Sequence, residues 1–98
     1  MGPELLTLAQ FSDKVGDAFV IDEAGFPAVE LTLTGVSPVR NYARAEREPF
    51  SLVFTSSGDT VLPQRMYVLR HPALGLRSIF LVPIAKGGDT VSYQALFN

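Results

Sequence analysis

The chain offers few side chains able to do chemistry. His71 is the only histidine, so neither a two-histidine metal site nor a separate histidine acid and base can be assembled. A lone general base remains open to it, but its place just before Pro72 reads better as a turn residue packed on, or bonded to, local backbone. There is no cysteine, hence no thiolate nucleophile, thiolate metal ligand or disulfide framework. Ser56-Ser57-Gly58 lacks the Gly-x-Ser-x-Gly frame of a nucleophile elbow. Asp13, Asp17, Asp22 and Glu23 crowd one stretch without the ordered ligand spacing of a calcium loop; they read as helix-end and turn residues. Lys86-Gly87-Gly88-Asp89-Thr90 has a glycine-rich look, but Walker spacing is missing and no helix follows, so a hairpin turn is expected. No catalytic residue, metal ligand or cofactor site is assigned.

The elements that must position these residues are mostly strands. The segment Leu62–Pro83 reads as a long β-hairpin: the apolar runs Met66–Leu69 and Ile79–Val82 flank Pro72-Ala73-Leu74-Gly75, where proline fixes φ and glycine tolerates φ > 0. A four-residue loop there sets His71 opposite Leu76, Arg70 opposite Arg77, Val68 opposite Ile79 and Tyr67 opposite Phe80. Side chains alternate between faces. Tyr67, Leu69, Phe80 and Val82 then share one face; Met66, Val68, Ile79 and Leu81 share the other. Both faces are apolar, so both should be covered.

Like charges directly opposed repel, so the pair Arg70 and Arg77 asks for carboxylates, exposure at the ribbon tip or an anionic partner. Glu30, Glu46 and Glu48 are the expected counter-charges. Arg65, Arg70, His71 and Arg77 form the candidate interaction surface, which Arg40, Arg44 and Arg47 could extend.

Elsewhere, Thr7–Gly16 carries a helix signal. Thr7 and Gln10 fit a capping box, Leu8, Phe11 and Val15 fall at helical spacing, and Gly16 suits the C-terminal stop. This short helix is expected to plug one open end of a β core. Strands are expected over Asp17–Asp22, Ala28–Val36, Phe50–Thr55 and Val91–Phe97, with inward-facing residues that include Phe19, Ile21, Leu31, Leu33, Phe50, Leu52, Phe54 and Tyr93. Gly35 breaks its alternation and predicts a bulge. The polar run Arg40–Pro49 reads as a loop or a single helical turn. The predicted fold is all-β and mainly antiparallel: one domain over 1–98, with about six strands in a meander forming a small barrel or sandwich, plus one short N-terminal helix.

Composition narrows the function. The 98 residues are 47% hydrophobic and 18% charged, as in a folded domain, and the net charge is −2. That sign argues against a phosphate-backbone binder, and no basic residues interleave with stacking aromatics, so no nucleic-acid partner is expected. The opening residues lack a basic region and a long apolar run, and position 6 is Leu rather than Ser or Thr. Neither a secretory signal nor myristoylation is expected. No apolar run approaches the roughly 20 residues of a bilayer span, and the expected compartment is the cytoplasm, with no membrane partner.

The set Glu48-Pro49-Phe50-Ser51-Leu52, Leu62-Pro63-Gln64, His71-Pro72-Ala73-Leu74-Gly75, Phe80-Leu81-Val82-Pro83 and Tyr93-Gln94-Ala95-Leu96-Phe97-Asn98 resembles a family of bacterial proteins of about 100 residues, known as a domain of unknown function. The resemblance runs nearly end to end. Relatives accompany phage-tail-collar-like proteins, which implies a role in an assembly and carries over no catalytic residue. Arg65 departs from the pattern, where a small residue is usual.

The expectation is therefore a non-enzymatic interaction or structural module. Its partner is another protein, or a second copy paired through exposed sheet edges to give a homodimer. The alternative is a small apolar-ligand carrier, its cavity lined by Phe19, Phe54, Tyr67, Phe80 and Tyr93.

Overall fold

A computed structural model describes residues 6–39, 49–58 and 60–97. Residues 40–48, which hold most of the expected polar loop together with Arg40, Arg44, Arg47, Glu46 and Glu48, lie outside the described residues, as does Asn98. The helix α1 spans Leu8–Ser12, and six strands follow: β1 (Ala18–Ile21), β2 (Glu30–Pro38), β3 (Phe50–Ser57), β4 (Arg65–His71), β5 (Gly75–Gly87) and β6 (Thr90–Phe97).

All neighbouring strands are antiparallel, and they close in the order β1-β2-β3-β6-β5-β4. Two three-stranded meanders, β1-β2-β3 and β4-β5-β6, are thus joined along β3–β6 and along β1–β4. The expected small β-barrel is the fold found. Closure removes the exposed sheet edges through which copies of the chain were expected to pair, because an edge exists only where a sheet stops.

The core sits inside the barrel. Phe19, Ile21, Leu31, Leu33, Phe50, Leu52, Phe54, Tyr67, Leu69, Ile79, Leu81, Val91, Tyr93 and Ala95 are all buried, at alternate positions of their strands as a one-sided pleat requires. The two seams differ. β3 and β6 pair over eight residues from Phe50↔Phe97 to Ser57↔Thr90, whereas β1 meets β4 only at Val20↔Arg70 and Ile21↔Leu69. The expected bulge is present: the β2–β3 register shifts between Leu33 and Gly35.

Helix α1 is shorter than its signal. Thr7 is the N-cap, and the Thr7 N–H donates to Gln10 Oε1 at 2.8 Å within a capping box. Five residues is too few for an isolated helix to persist in water. Its anchor is Phe11, fully buried, whose ring lies 6.3 Å from Phe19, 5.9 Å from Phe50 and 6.0 Å from Phe97. The plug expected at one end of the barrel is therefore this ring. Val15, expected on the apolar face, lies past the helix end and is exposed.

The β4–β5 hairpin forms, but its register is one residue away from the expected one. Gly75, at φ 73°, already pairs with His71, so the loop is Pro72-Ala73-Leu74. Arg70 then faces Leu76, Leu69 faces Arg77, Val68 faces Ser78 and Tyr67 faces Ile79. A slip of one residue exchanges faces. Tyr67, Leu69, Ile79 and Leu81 point into the barrel, while Met66 and Phe80, paired with each other, point out. The expectation that both faces are covered is corrected: among the described residues the outer one is open, with Met66 50% and Phe80 44% exposed.

Candidate functional site

The same slip dismantles the expected arginine pair. Arg70 lies on the outer face, and its Nε donates to Asp22 Oδ2 at 3.1 Å. Arg77, level with Leu69, belongs to the inward-facing series at the mouth of the barrel, where its Nε donates to the Leu74 carbonyl at 2.9 Å. Glu30, exposed at the start of β2, is not the counter-charge used.

Arg65 begins β4 at the other end. Its guanidinium carbon lies 4.0 Å from the centre of the Tyr67 ring and 5.3 Å from that of Phe26. Its Nη2 donates to Glu23 Oε1 at 2.9 Å, and the second oxygen of that carboxylate accepts the Val68 N–H at 2.8 Å. The arginine, followed by the backbone donor, holds the Glu23 carboxyl below the usual glutamate range, and Glu23 in turn raises the Arg65 guanidinium. Burial raises the Tyr67 phenol, which donates to the Pro63 carbonyl.

These contacts have a common location. Asp22 N–H donates to the Val68 carbonyl at 2.9 Å, and one residue on, where β1 has ended, the Glu23 side chain accepts from Val68 N–H. A carboxylate stands in for the backbone carbonyl that the four-residue strand cannot supply. The acids that crowd the sequence between positions 17 and 23 are spent on β4: Asp17 on His71, Asp22 on Arg70 and Glu23 on Arg65. They fasten the short seam.

His71 is buried against the inner wall, its ring centre 4.6 Å from that of Phe19. Its Nδ1 accepts the Ala73 N–H at 3.0 Å and faces the Leu74 N–H at 3.4 Å. With Nδ1 an acceptor, Nε2 carries the proton, and it donates to Asp17 Oδ2 at 2.8 Å. A histidine with a carboxylate at one nitrogen resembles half of a catalytic triad. Here, however, the nitrogen that would have to take a proton is occupied by the turn. The geometry is that of a turn residue bonding local backbone.

Arg65, Arg70, His71 and Arg77 therefore do not converge. One caps an end of the barrel, one faces outward, and two sit at the other end, with β4 spanning about 20 Å between Arg65 and His71 at about 3.3 Å per residue. Of the five residues expected to line a carrier's cavity, four come together, but as packed core. Phe19, Phe54, Tyr67 and Tyr93 fill the barrel core, and Phe80 lies outside it, 44% exposed.

What the structure does bring together is apolar. On the outer wall of β4-β5-β6, Met66 faces Phe80. On the neighbouring strand β6, Leu96 lies two residues past Gln94, the last partner of β5, and has the same outward parity. These three are 50%, 44% and 56% exposed, and half-buried Val68 and Val82 flank them. Scattered exposed apolar residues need no explanation, but a set of them on one outer wall of three neighbouring strands does. Periodicity signalled it in advance, since both faces of the ribbon read as apolar, but the misassigned register put the wrong residues on each.

A family model described as "Domain of unknown function (DUF6916)" matches residues 6–97. The chain belongs to this family. The match spans the barrel and its plug, from Leu6 ahead of α1 to Phe97 at the end of β6. No curated protein and no solved structure matches this DUF6916 member.

Proposed function

We propose that this DUF6916 domain is a non-enzymatic protein-interaction module, a structural part of a larger assembly such as the phage-tail type that its family resemblance implies. The observation that carries this reading is the outer apolar face centred on Met66, Phe80 and Leu96. A barrel that fills its interior with aromatic side chains has a wall, rather than a lumen, to offer a partner, and apolar and aromatic residues supply most of the energy at the centre of protein interfaces. In the described residues the face carries one charge, Arg70, already paired with Asp22. The partner surface it suits is apolar and uncharged.

The test is co-purification of the tagged chain with the products of adjacent genes, using the wild type and a Met66→Lys/Phe80→Lys double variant. Both side chains are about half exposed, so the variant should keep its fold and thermal midpoint. The expected result is a defined complex for the wild type and none for the variant. A complex that survives both lysines would refute the assignment of the face. Gel filtration with mass measurement at several concentrations reports whether a second copy occupies it instead.

A further inference from the structure

The two ends of the barrel are built differently. At one end Phe11 closes the opening. At the other, the inward-facing series of β3 runs Phe50, Leu52, Phe54 and then Ser56, so the last inward position, where a bulky residue would finish the core, holds a hydroxyl. Above it lies a cavity of about 460 Å³ between the β1–β2 connection and the segment leading into β4. Phe26, Val29 and Leu62 form its apolar walls, and Ser56, Ser57 and Thr60 supply its polar groups.

Ser56 is 5% exposed, yet among the described residues its hydroxyl has no hydrogen-bond partner. Its hydroxyl is not sealed from solvent and it lines the cavity, where a ligand group can take the place of water as its partner. The neighbouring phenols are already committed. Tyr93 accepts the Leu62 N–H at 2.9 Å, and Tyr67 donates to Pro63. None of the described lining residues carries a charge.

We infer that this end of the barrel is a binding site for a small uncharged amphiphile, an apolar body bearing one hydroxyl, carbonyl or amide group that bonds to Ser56. The volume is within the range of ligand pockets, an apolar cleft with a few placed polar groups. At the roughly 30 Å³ that one water occupies in the liquid, it seats about 15 non-hydrogen atoms. The described walls favour an uncharged group, because none of their own residues carries a charge. The site is separate from the outer face of β4-β5-β6 and stands or falls independently of the interaction role proposed for that face.

The probe is 2-phenylethanol, with propylbenzene as its shape-matched partner lacking the hydroxyl and phenylacetate as its charged counterpart. Each is titrated into the ¹⁵N-labelled chain while amide resonances are followed. The inference expects saturable shifts at Ser57, Gly58 and Thr60, binding about fivefold to tenfold weaker for propylbenzene, and phenylacetate weaker still. Ser56→Leu should fill the floor and abolish the shifts. Ser56→Ala, which keeps the space, should retain binding and lose the preference for the hydroxyl, so the test stands even if the leucine variant fails to fold. Linear unsaturating shifts, shifts centred on Phe80 and Leu96, or equal affinity for 2-phenylethanol and propylbenzene in the wild type would each overturn it.

Discussion

Removing the Phe11 ring should cost this protein about as much as removing a residue from the middle of a strand, although Phe11 sits on a helix of five residues. Phe11→Ala is the perturbation. The side chain is fully buried and meets three other rings. A buried phenylalanine hides roughly 150–250 Å², which at about 25 cal/mol/Å² gives roughly 4–6 kcal/mol as an upper bound. Measured losses for buried Phe→Ala run at about 3–5 kcal/mol. Against the roughly 5–15 kcal/mol that stabilises a typical domain, that is a large share. The helix adds little of its own, so without its ring it should detach and leave Phe50 and Phe97, stacked at 4.7 Å, open to water. Urea denaturation followed by circular dichroism gives the loss directly, and at about 4–8 °C per kcal/mol for a domain this size the thermal midpoint should fall by more than about 10 °C. Leu8→Ala, on the same helix but only half-buried, is the control and should cost less than half as much. A loss under about 1 kcal/mol for Phe11→Ala, or equal losses for the two variants, would refute the claim that this ring closes the barrel.

Two further outcomes follow from the seam and the turn. The Glu23 carboxyl is held below its ordinary value of about 4.5, first by Arg65 and then by the Val68 N–H, so the stability it adds is present above that value and is lost as pH falls through the lower, folded one. Glu23→Gln keeps an acceptor for Val68 and removes the charge. Its urea midpoint should lie below the wild type's at pH 7 and converge with it as pH falls toward 3, and a gap independent of pH would count against the ion pair. At the turn, His71→Ala removes the acceptor used by the Ala73 N–H and the ring packed on Phe19, with an expected cost of about 1–3 kcal/mol. His71→Asn, whose side-chain oxygen can accept from the N–H two residues on, should recover part of that loss in the same urea assay, and an asparagine variant no better than the alanine one would show that the Nδ1 bond is incidental.

Most of the architecture was legible because the signals were local. Alternation marked β2, β3 and β6 with their inward residues, the Thr7–Gln10 capping box marked α1, and Gly35 marked the bulge. What failed to show was information that no single segment holds. The hairpin residues Pro72 to Gly75 announce a turn, but whether the strands resume at Gly75 or one residue later depends on the φ of 73° that Gly75 adopts and on the His71 ring bonding Ala73. That single step decided which of Phe80 and Ile79 enters the core. The seam was hidden for a related reason. The acids between Asp17 and Glu23 look like turn residues along the chain, and β4 lies some fifty positions away, so only closure of the barrel reveals that they face Arg65, Arg70 and His71. The cavity over Ser56 was least legible of all: a serine that ends an alternating strand reads as the start of a turn, and its burial depends on loops from two other parts of the chain.

The apolar content of the β4–β5 hairpin bears on function more directly than the register error suggests. A two-stranded ribbon with hydrophobic residues on both sides needs cover on both, whichever side is which, because apolar area left in water costs about 25 cal/mol/Å². Closure of the barrel covers one side with Phe19, Phe54 and Tyr93. It cannot cover the other, since the outside of a barrel six strands around faces away from every residue in its own core. Met66, Phe80 and Leu96 stand there about half exposed, next to strand positions such as Ser51, Thr55 and Ser92 on β3 and β6, which show what an ordinary solvated wall of this same barrel looks like. The contrast between these two walls is a property of the sequence, not of the hairpin register. Under the proposed function the missing cover is a partner, and the lysine substitutions at Met66 and Phe80 test that.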